Sequence, residues 1–144
     1  MIWLLRHGEA EHSAVDDASR RLTEKGERQS RAAGRALAAL GVEIDACLAS
    51  PKPRARDTAA IACRELGAEV EETEALRGGD FDPLQLAAGR GEVLLVGHEP
   101  DFSRAIHATT GARVGLKKGG VAAIDDGRLT SLLTPPQLRR IAGG

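Results

Sequence analysis

The chain opens on an uninterrupted apolar run, Ile2–Leu5, that stops abruptly at Arg6, His7 and Gly8. A run without alternation is the pattern of a strand buried on both faces, here Ile2–Arg6. After a polar stretch, RLTEKGERQSRAAGRALAALG carries Ala33, Leu37 and Leu40 at helical spacing. Thr23 supplies an N-cap, Glu24 an acidic first turn and Gly41 the stop. Ile44–Ala49 reads as a second buried strand ending in Ser50-Pro51, and a helix from about Arg54 to Leu66 closes at Gly67. Ala68–Glu71 is a short third strand. Asp82-Pro83 caps and opens a brief helix through Ala88. Glu92–Val96 is a further apolar strand that ends on Gly97-His98, and a helix capped by Asp101 or Ser103 reaches Thr110. Gly120–Ile124 and Leu129–Leu133 flank Asp125-Asp126-Gly127-Arg128, a D-G hairpin signal. Gly143-Gly144 reads as a frayed tail.

Strands that alternate with helices predict an α/β fold: a mostly parallel sheet covered on both faces, with an antiparallel hairpin at one edge. A length of 144 residues without repeats or linkers fits one domain over residues 1–144. The net charge of −1 leaves no electrostatic footprint for nucleic acid or an anionic membrane. The N-terminal apolar run is too short for a signal segment or a membrane span, so a cytoplasmic location is expected. Cys47 falls in a predicted strand and Cys63 in a helix, outside any C-x-x-C pattern, which predicts buried structural thiols.

Three predicted strands end in cationic or reactive residues: Arg6-His7, Ser50 through Arg54, and Gly97-His98. In a parallel α/β sheet these ends share one edge, and ligands bind just outside it. Two arginines and two histidines would then meet around one cavity. Arginine binds phosphate oxygens bidentately at any physiological pH. A neutral histidine can attack phosphorus and form a covalent phosphohistidine. The set therefore points to phosphoryl transfer, in which positioning and charge neutralisation dominate. Each residue alone has a plainer reading: His7 bonded to a backbone carbonyl, Arg54 solvated at a helix start, His98 satisfied at a core boundary. A cation at a helix N-terminus opposes the helix dipole, which makes better sense beside an anion.

Other candidates carry less. A metal set from His7, Glu9, Glu11 and His12 matches no ligand spacing, and GHEPD lacks the second histidine of H-E-x-x-H. His12 sits in a polar loop that could border the cavity. His107 lies off the apolar face of its helix, and Lys117-Lys118 reads as a solvated pair. The glycine patterns of P-loop and Rossmann nucleotide sites are both absent.

LLRHGEAE resembles the RHG signature of the histidine phosphatase superfamily, which includes phosphoglycerate mutases and acid phosphatases. RRLTEKGERQSRAAGRAL is similar to that family's R-x-L-T-x-x-G-x-x-Q-A segment, SPKPRARDTA to its S-P-x-x-R-A-x-x-T-A, and LLVGHEPDFS follows in the family's order. The short length, EALRGGD leading directly into a helix, and the closing GRLTSLLTPPQL resemble the small SixA-type phosphohistidine phosphatases. The resemblance implies a three-layer α/β/α sandwich and a metal-independent phosphatase without cofactors. His7 would be its nucleophile, with Arg6, Arg54 and His98 holding the phosphoryl oxygens. The implied substrate is phosphohistidine on a partner protein. A small-molecule phosphomonoesterase or mutase and a noncatalytic phosphoprotein-binding module remain as alternatives. Many relatives place a proton-donating carboxylate between the S-P-x-x-R-A helix and the GH strand. Glu74 and Asp80 fall in that stretch but in no aligned motif; they are the candidates for such an acid.

Overall fold

Six strands lie side by side in one sheet: β1 (Ile2–Arg6), β2 (Ala46–Ala49), β3 (Val70–Glu72), β4 (Val93–Gly97), β5 (Val121–Asp125) and β6 (Arg128–Leu133). Their order is β3-β2-β4-β1-β5-β6. The first four run parallel, β5 is antiparallel to β1, and β6 closes the edge as a hairpin with β5. The computed structural model describes residues 1–12 and 16–143; of the expected tail, Gly143 lies in a turn and Gly144 falls outside the described residues.

Helices cover both faces, as the α/β/α expectation requires. Along the strands, side chains alternate between two cores. Trp3, Leu5, Cys47, Ala49, Leu94 and Val96 meet α1 (Glu24–Ala39), α2 (Pro53–Leu66) and α5 (Pro135–Ile141) on one side. Ile2, Leu4, Leu48, Val93 and Leu95 meet α3 (Pro83–Ala87) and α4 (Asp101–Thr110) on the other. Double coverage explains why β1 and β4 read as solid apolar runs. The α1–α2 contact is made of small residues. A Cβ added at Gly34 would stand 2.5 Å from the Ala62 carbonyl oxygen, so only glycine lets the two backbones approach this closely. Cys47 and Cys63 are both buried and free. Among the described residues no helix is long and apolar enough to cross a membrane.

The local signals fare unevenly. Thr23 and Asp82 cap their helices as expected, accepting from the Gly26 and Leu84 N–H groups. The second and third strands start later than expected, at Ala46 and Val70. Neither Asp101 nor Ser103 caps α4. Asp101 is already helical, and the Glu99 carboxylate accepts the Ser103 N–H at 2.6 Å instead. Helix α5 was not expected. It is set by a capping box in which Thr134 accepts from the Gln137 N–H and Gln137 from the Thr134 N–H, with proline in the first turn, and Leu138 anchors it in the core.

Candidate active site

Strand register brings the chemistry together. Arg6 pairs with Gly97 across β1 and β4, and Ala49 with Val96 across β2 and β4. One residue further, the His7 N–H donates to the Gly97 carbonyl and the Ser50 N–H to the Val96 carbonyl, each at 3.0 Å. His7, Ser50 and His98 therefore leave the sheet at one level, with the His7 and His98 rings 5.3 Å apart. Arg54 reaches the same point from the first turn of α2. Gly8 follows because the loop crosses the start of α1: a Cβ there would stand 2.5 Å from the Gly26 carbonyl oxygen. Thr58 ties the two halves together. It accepts the Gly8 N–H at 3.1 Å and donates to the Arg54 carbonyl at 2.7 Å.

Arg6, His7, Arg54 and His98 line one cleft of about 490 Å3. His7 Nδ1 lies 2.7 Å from the Gly8 carbonyl. A carbonyl only accepts, so Nδ1 carries the hydrogen and Nε2 keeps its lone pair. Arg6 Nη1 donates to the Leu116 carbonyl at 2.8 Å. Arg54 donates from Nη1 to the Asp17 carbonyl at 2.7 Å and from Nη2 to the Asp17 carboxylate at 3.1 Å. His98 Nε2 lies 2.8 Å from the Ser50 hydroxyl, which also accepts the Lys52 N–H. When that hydroxyl in turn donates to Nε2, the neutral ring's own proton sits on Nδ1; when Nε2 donates to the hydroxyl, Nδ1 carries the lone pair. Among the described residues three buried side-chain polar atoms have no hydrogen-bond partner in the protein: Arg6 Nε, Arg54 Nε and His98 Nδ1. Buried donors are almost always satisfied, and these three belong to the same cleft. They call for an acceptor.

The electrostatics agree. Six cationic side chains and three carboxylates line the cleft. Burial pushes the His7 pKa down to about 4, opposed by the Gly8 carbonyl and helped by Arg54, Arg6 and Arg20. His98 is pushed to about 3, first by burial and then by the neighbouring His7 and Arg54. Both rings are neutral near pH 7, which leaves each imidazole one nitrogen with a free lone pair. Burial lowers the Arg6 pKa while the Glu99 charge raises it. Asp17, held below the usual carboxylate range first by the Arg20 hydrogen bond and then by Arg54, stays ionised.

The remaining candidates separate. Glu74 does not line the cleft; it is exposed and pairs with Arg77 at 2.6 Å, which holds its pKa low. Asp80 faces a different cavity. The carboxylates that do line the cleft are Asp17, Glu99 and Asp101. Glu99 has both oxygens engaged, by the Ser103 N–H and by the Leu116 N–H at 3.0 Å. His12 borders the cleft, whereas Glu9 turns to Thr23 and Lys25 and Glu11 to the Arg21 N–H. Among the described residues no group of three or more His, Cys, Asp or Glu side chains could hold a metal ion. Asp17, Arg20 and Arg77 join the cleft without a periodic pattern to announce them; Lys52 comes with the Ser50-to-Arg54 strand end, and Lys118, expected as half of a solvated pair, lines the cleft instead.

Comparison with known proteins follows the same line. The sequence profile of the histidine phosphatase superfamily, branch 1, matches residues 2–90. An uncharacterized protein of Picosynechococcus sp. is 34% identical over 140 residues, 88% of this chain and 85% of that one. A serine/threonine-protein phosphatase Pgam5 of Drosophila ananassae is 39% identical over 70 residues, which cover 49% of this chain and only 24% of that protein. The structure of the protein histidine phosphatase SixA complexed with tungstate shares the fold, with a TM-score of 0.82, 24% identity, and coverage of 95% of this chain and 98% of that one. With a profile matched over more than half its length and a relative aligned across most of both chains, this protein belongs to branch 1 of the histidine phosphatase superfamily.

Proposed function

We propose that this chain is a metal-independent phosphatase with His7 as nucleophile, and that it removes the phosphoryl group from phosphohistidine on a partner protein. One observation carries the reading: three buried, unpartnered nitrogens on Arg6, Arg54 and His98 surround an imidazole whose Nε2 lone pair is uncommitted. Their hydrogens match the oxygens of a phosphoryl group. In the first step His7 Nε2 bonds to phosphorus as the bond to the substrate's leaving group breaks. In the second, water attacks phosphorus, inorganic phosphate leaves, and His7 is restored. Arg6, Arg54 and His98 meet the charge that builds on the oxygens in both steps, a preorganised stabilisation.

The leaving group favours phosphohistidine. An alkoxide needs a well-placed acid to protonate it. Once its second ring nitrogen carries a proton, phosphohistidine releases neutral imidazole, a far weaker base than an alkoxide, with an unperturbed pKa of about 6.5. Glu74 and Asp80 are out of the cleft, Glu99 is tied to two backbone N–H groups and Asp17 is held ionised by Arg20 and Arg54, so of the carboxylates near the cleft only Asp101 is left free of such a tie. The SixA structure with the same fold is that of a protein histidine phosphatase, which supports this substrate class.

The test has two parts. Brief reaction with substrate should leave an acid-labile, base-stable phosphoryl adduct on His7, and His7→Ala should abolish turnover. In a panel, phosphohistidine and p-nitrophenyl phosphate should be hydrolysed far better than alkyl phosphates, with Glu74→Gln and Asp80→Asn changing phosphohistidine turnover only slightly. A preferred alkyl phosphate whose turnover needs Glu74 or Asp80 would replace this reading with that of a small-molecule phosphatase. Turnover of no phosphate at all would leave a binding module.

A further inference from the structure

The catalytic cleft has a larger neighbour. A second trough of about 730 Å3 runs along α4, and the same three segments wall both cavities. Arg77 and Gly78 face the cleft, Asp80 and Phe81 the trough. Asp101 faces the cleft, Ser103 and Arg104 the trough. Lys118 faces the cleft, and Arg113 to Gly115 the trough. The two depressions therefore lie to either side of the same three segments, the first turn of α4 among them.

Their chemistry differs. Phe81, half-buried with its ring 5.7 Å from that of the buried Phe102, gives the trough an apolar wall together with Val114 and Ala108. Arg104 and Arg113 stand exposed on its edges, with no ion-pair partner among the described residues, and Asp80 is its one acidic lining residue. A phosphoryl group has no use for apolar walls. A polypeptide does.

We propose that this trough docks the stretch of partner protein next to the phosphohistidine, and that the stretch it fits is acidic and aliphatic. The inference rests on the reading of the cleft as a phosphohistidine phosphatase site. A histidine side chain is short, so the backbone that carries it must lie at the mouth of the cleft. Its neighbours in the partner then fall on the adjoining surface. Aliphatic side chains find Phe81, Val114 and Ala108, and carboxylates find Arg104 and Arg113. The same two guanidinium groups repel a basic segment, which makes them a device for selecting partners.

The experiment uses the full chain and three histidine-phosphorylated probes: N-acetylhistidine, a peptide with Glu and Leu flanks, and a peptide with Lys and Ser flanks. The wild type should prefer the Glu/Leu peptide to the Lys/Ser peptide by about tenfold in kcat/KM, mostly through KM. Arg104→Glu combined with Arg113→Glu should erase or invert that preference, and rising salt should weaken it. Ala108→Glu, at an exposed helix position, should act in the same direction through the apolar wall. Phospho-N-acetylhistidine, which cannot reach the trough, should be turned over at the wild-type rate by every variant. Equal use of the two peptides, or a preference that survives both variants, would overturn the trough alone. Turnover of p-nitrophenyl phosphate but of none of the three probes would overturn the underlying phosphohistidine reading, and the trough with it.

Discussion

Acidification should destabilise this protein through its active site before it titrates most of its carboxylates. His7 has a pKa of about 4 when folded and an ordinary value of 6.5 when exposed. Between those values the unfolded chain binds a proton that folded His7 refuses, so stability is lost as pH falls through that window. At about 1.4 kcal/mol per tenfold change in proton affinity, His7 alone withdraws about 3 kcal/mol by pH 4. His98, pushed to about 3 with His7 as its second cause, adds a share that depends on the charge of its neighbour. The total is large against the 5–15 or so kcal/mol that hold a typical domain together. Urea unfolding of wild type and His7→Asn across the window reads the effect directly, since asparagine keeps a donor for the Gly8 carbonyl but cannot titrate. The variant should gain about 3 kcal/mol relative to wild type between pH 6.5 and pH 4. Tungstate or inorganic phosphate, by pairing with the protonated rings, should flatten the wild-type curve. Parallel curves for the two proteins would refute the claim that burial keeps His7 neutral.

Removing either arginine of the clamp should be costly. Arg6→Ala and Arg54→Ala should each lower kcat/KM by about two to three decades, with lysine rescuing only part because a point charge cannot fork across two oxygens. Steady-state kinetics on p-nitrophenyl phosphate decides it, and wild-type values for an Arg54 variant would count against the cleft. Gly34→Ala should cost about 1–3 kcal/mol in thermal or urea unfolding, because its Cβ meets the Ala62 carbonyl at 2.5 Å, while leaving kcat/KM near wild type. Activity should survive EDTA unchanged, since arginine and histidine supply the positive charge and hydrogen bonds; a large loss restored by one divalent ion would revive the metal set of His7, Glu9, Glu11 and His12.

The sequence was most informative where one residue had one physical job. Ile2–Leu5 and Val93–Val96 are apolar throughout because both faces of the central strands are covered, and a strand that then breaks into Arg6-His7 or Gly97-His98 points to the sheet edge. Thr23 and Asp82 announce their helices because capping is local. The T-P-P-Q of Thr134–Gln137 is equally local, a capping box with proline, but the few residues after it carry too little periodicity to mark a helix. Glu99 illustrates what a sequence hides. Its partners are the N–H groups of Ser103 and of Leu116, 17 residues away, and only the folded loop brings them together. Asp17 and Arg20 join the cleft from a single 3-10 turn, too short for any pattern to mark it. Glu74 and Asp80 show the reverse: proximity in sequence to a motif does not fix the direction a loop side chain takes.

The position of β1 has a consequence for synthesis. Of the six strands it is made before the other five, yet both its neighbours in the sheet, β4 and β5, begin only at Val93 and Val121. Throughout translation of the intervening residues β1 is an apolar segment with no strand to pair with, the kind of exposure that invites misassembly. His7 cannot be set against Gly97 and His98 until β4 has emerged, so the nascent chain carries the proposed nucleophile long before the cleft around it exists. A truncated product ending near residue 90 holds the whole family-profile match and still lacks both partners of its first strand. Such a fragment should be a client for chaperones rather than a small phosphatase.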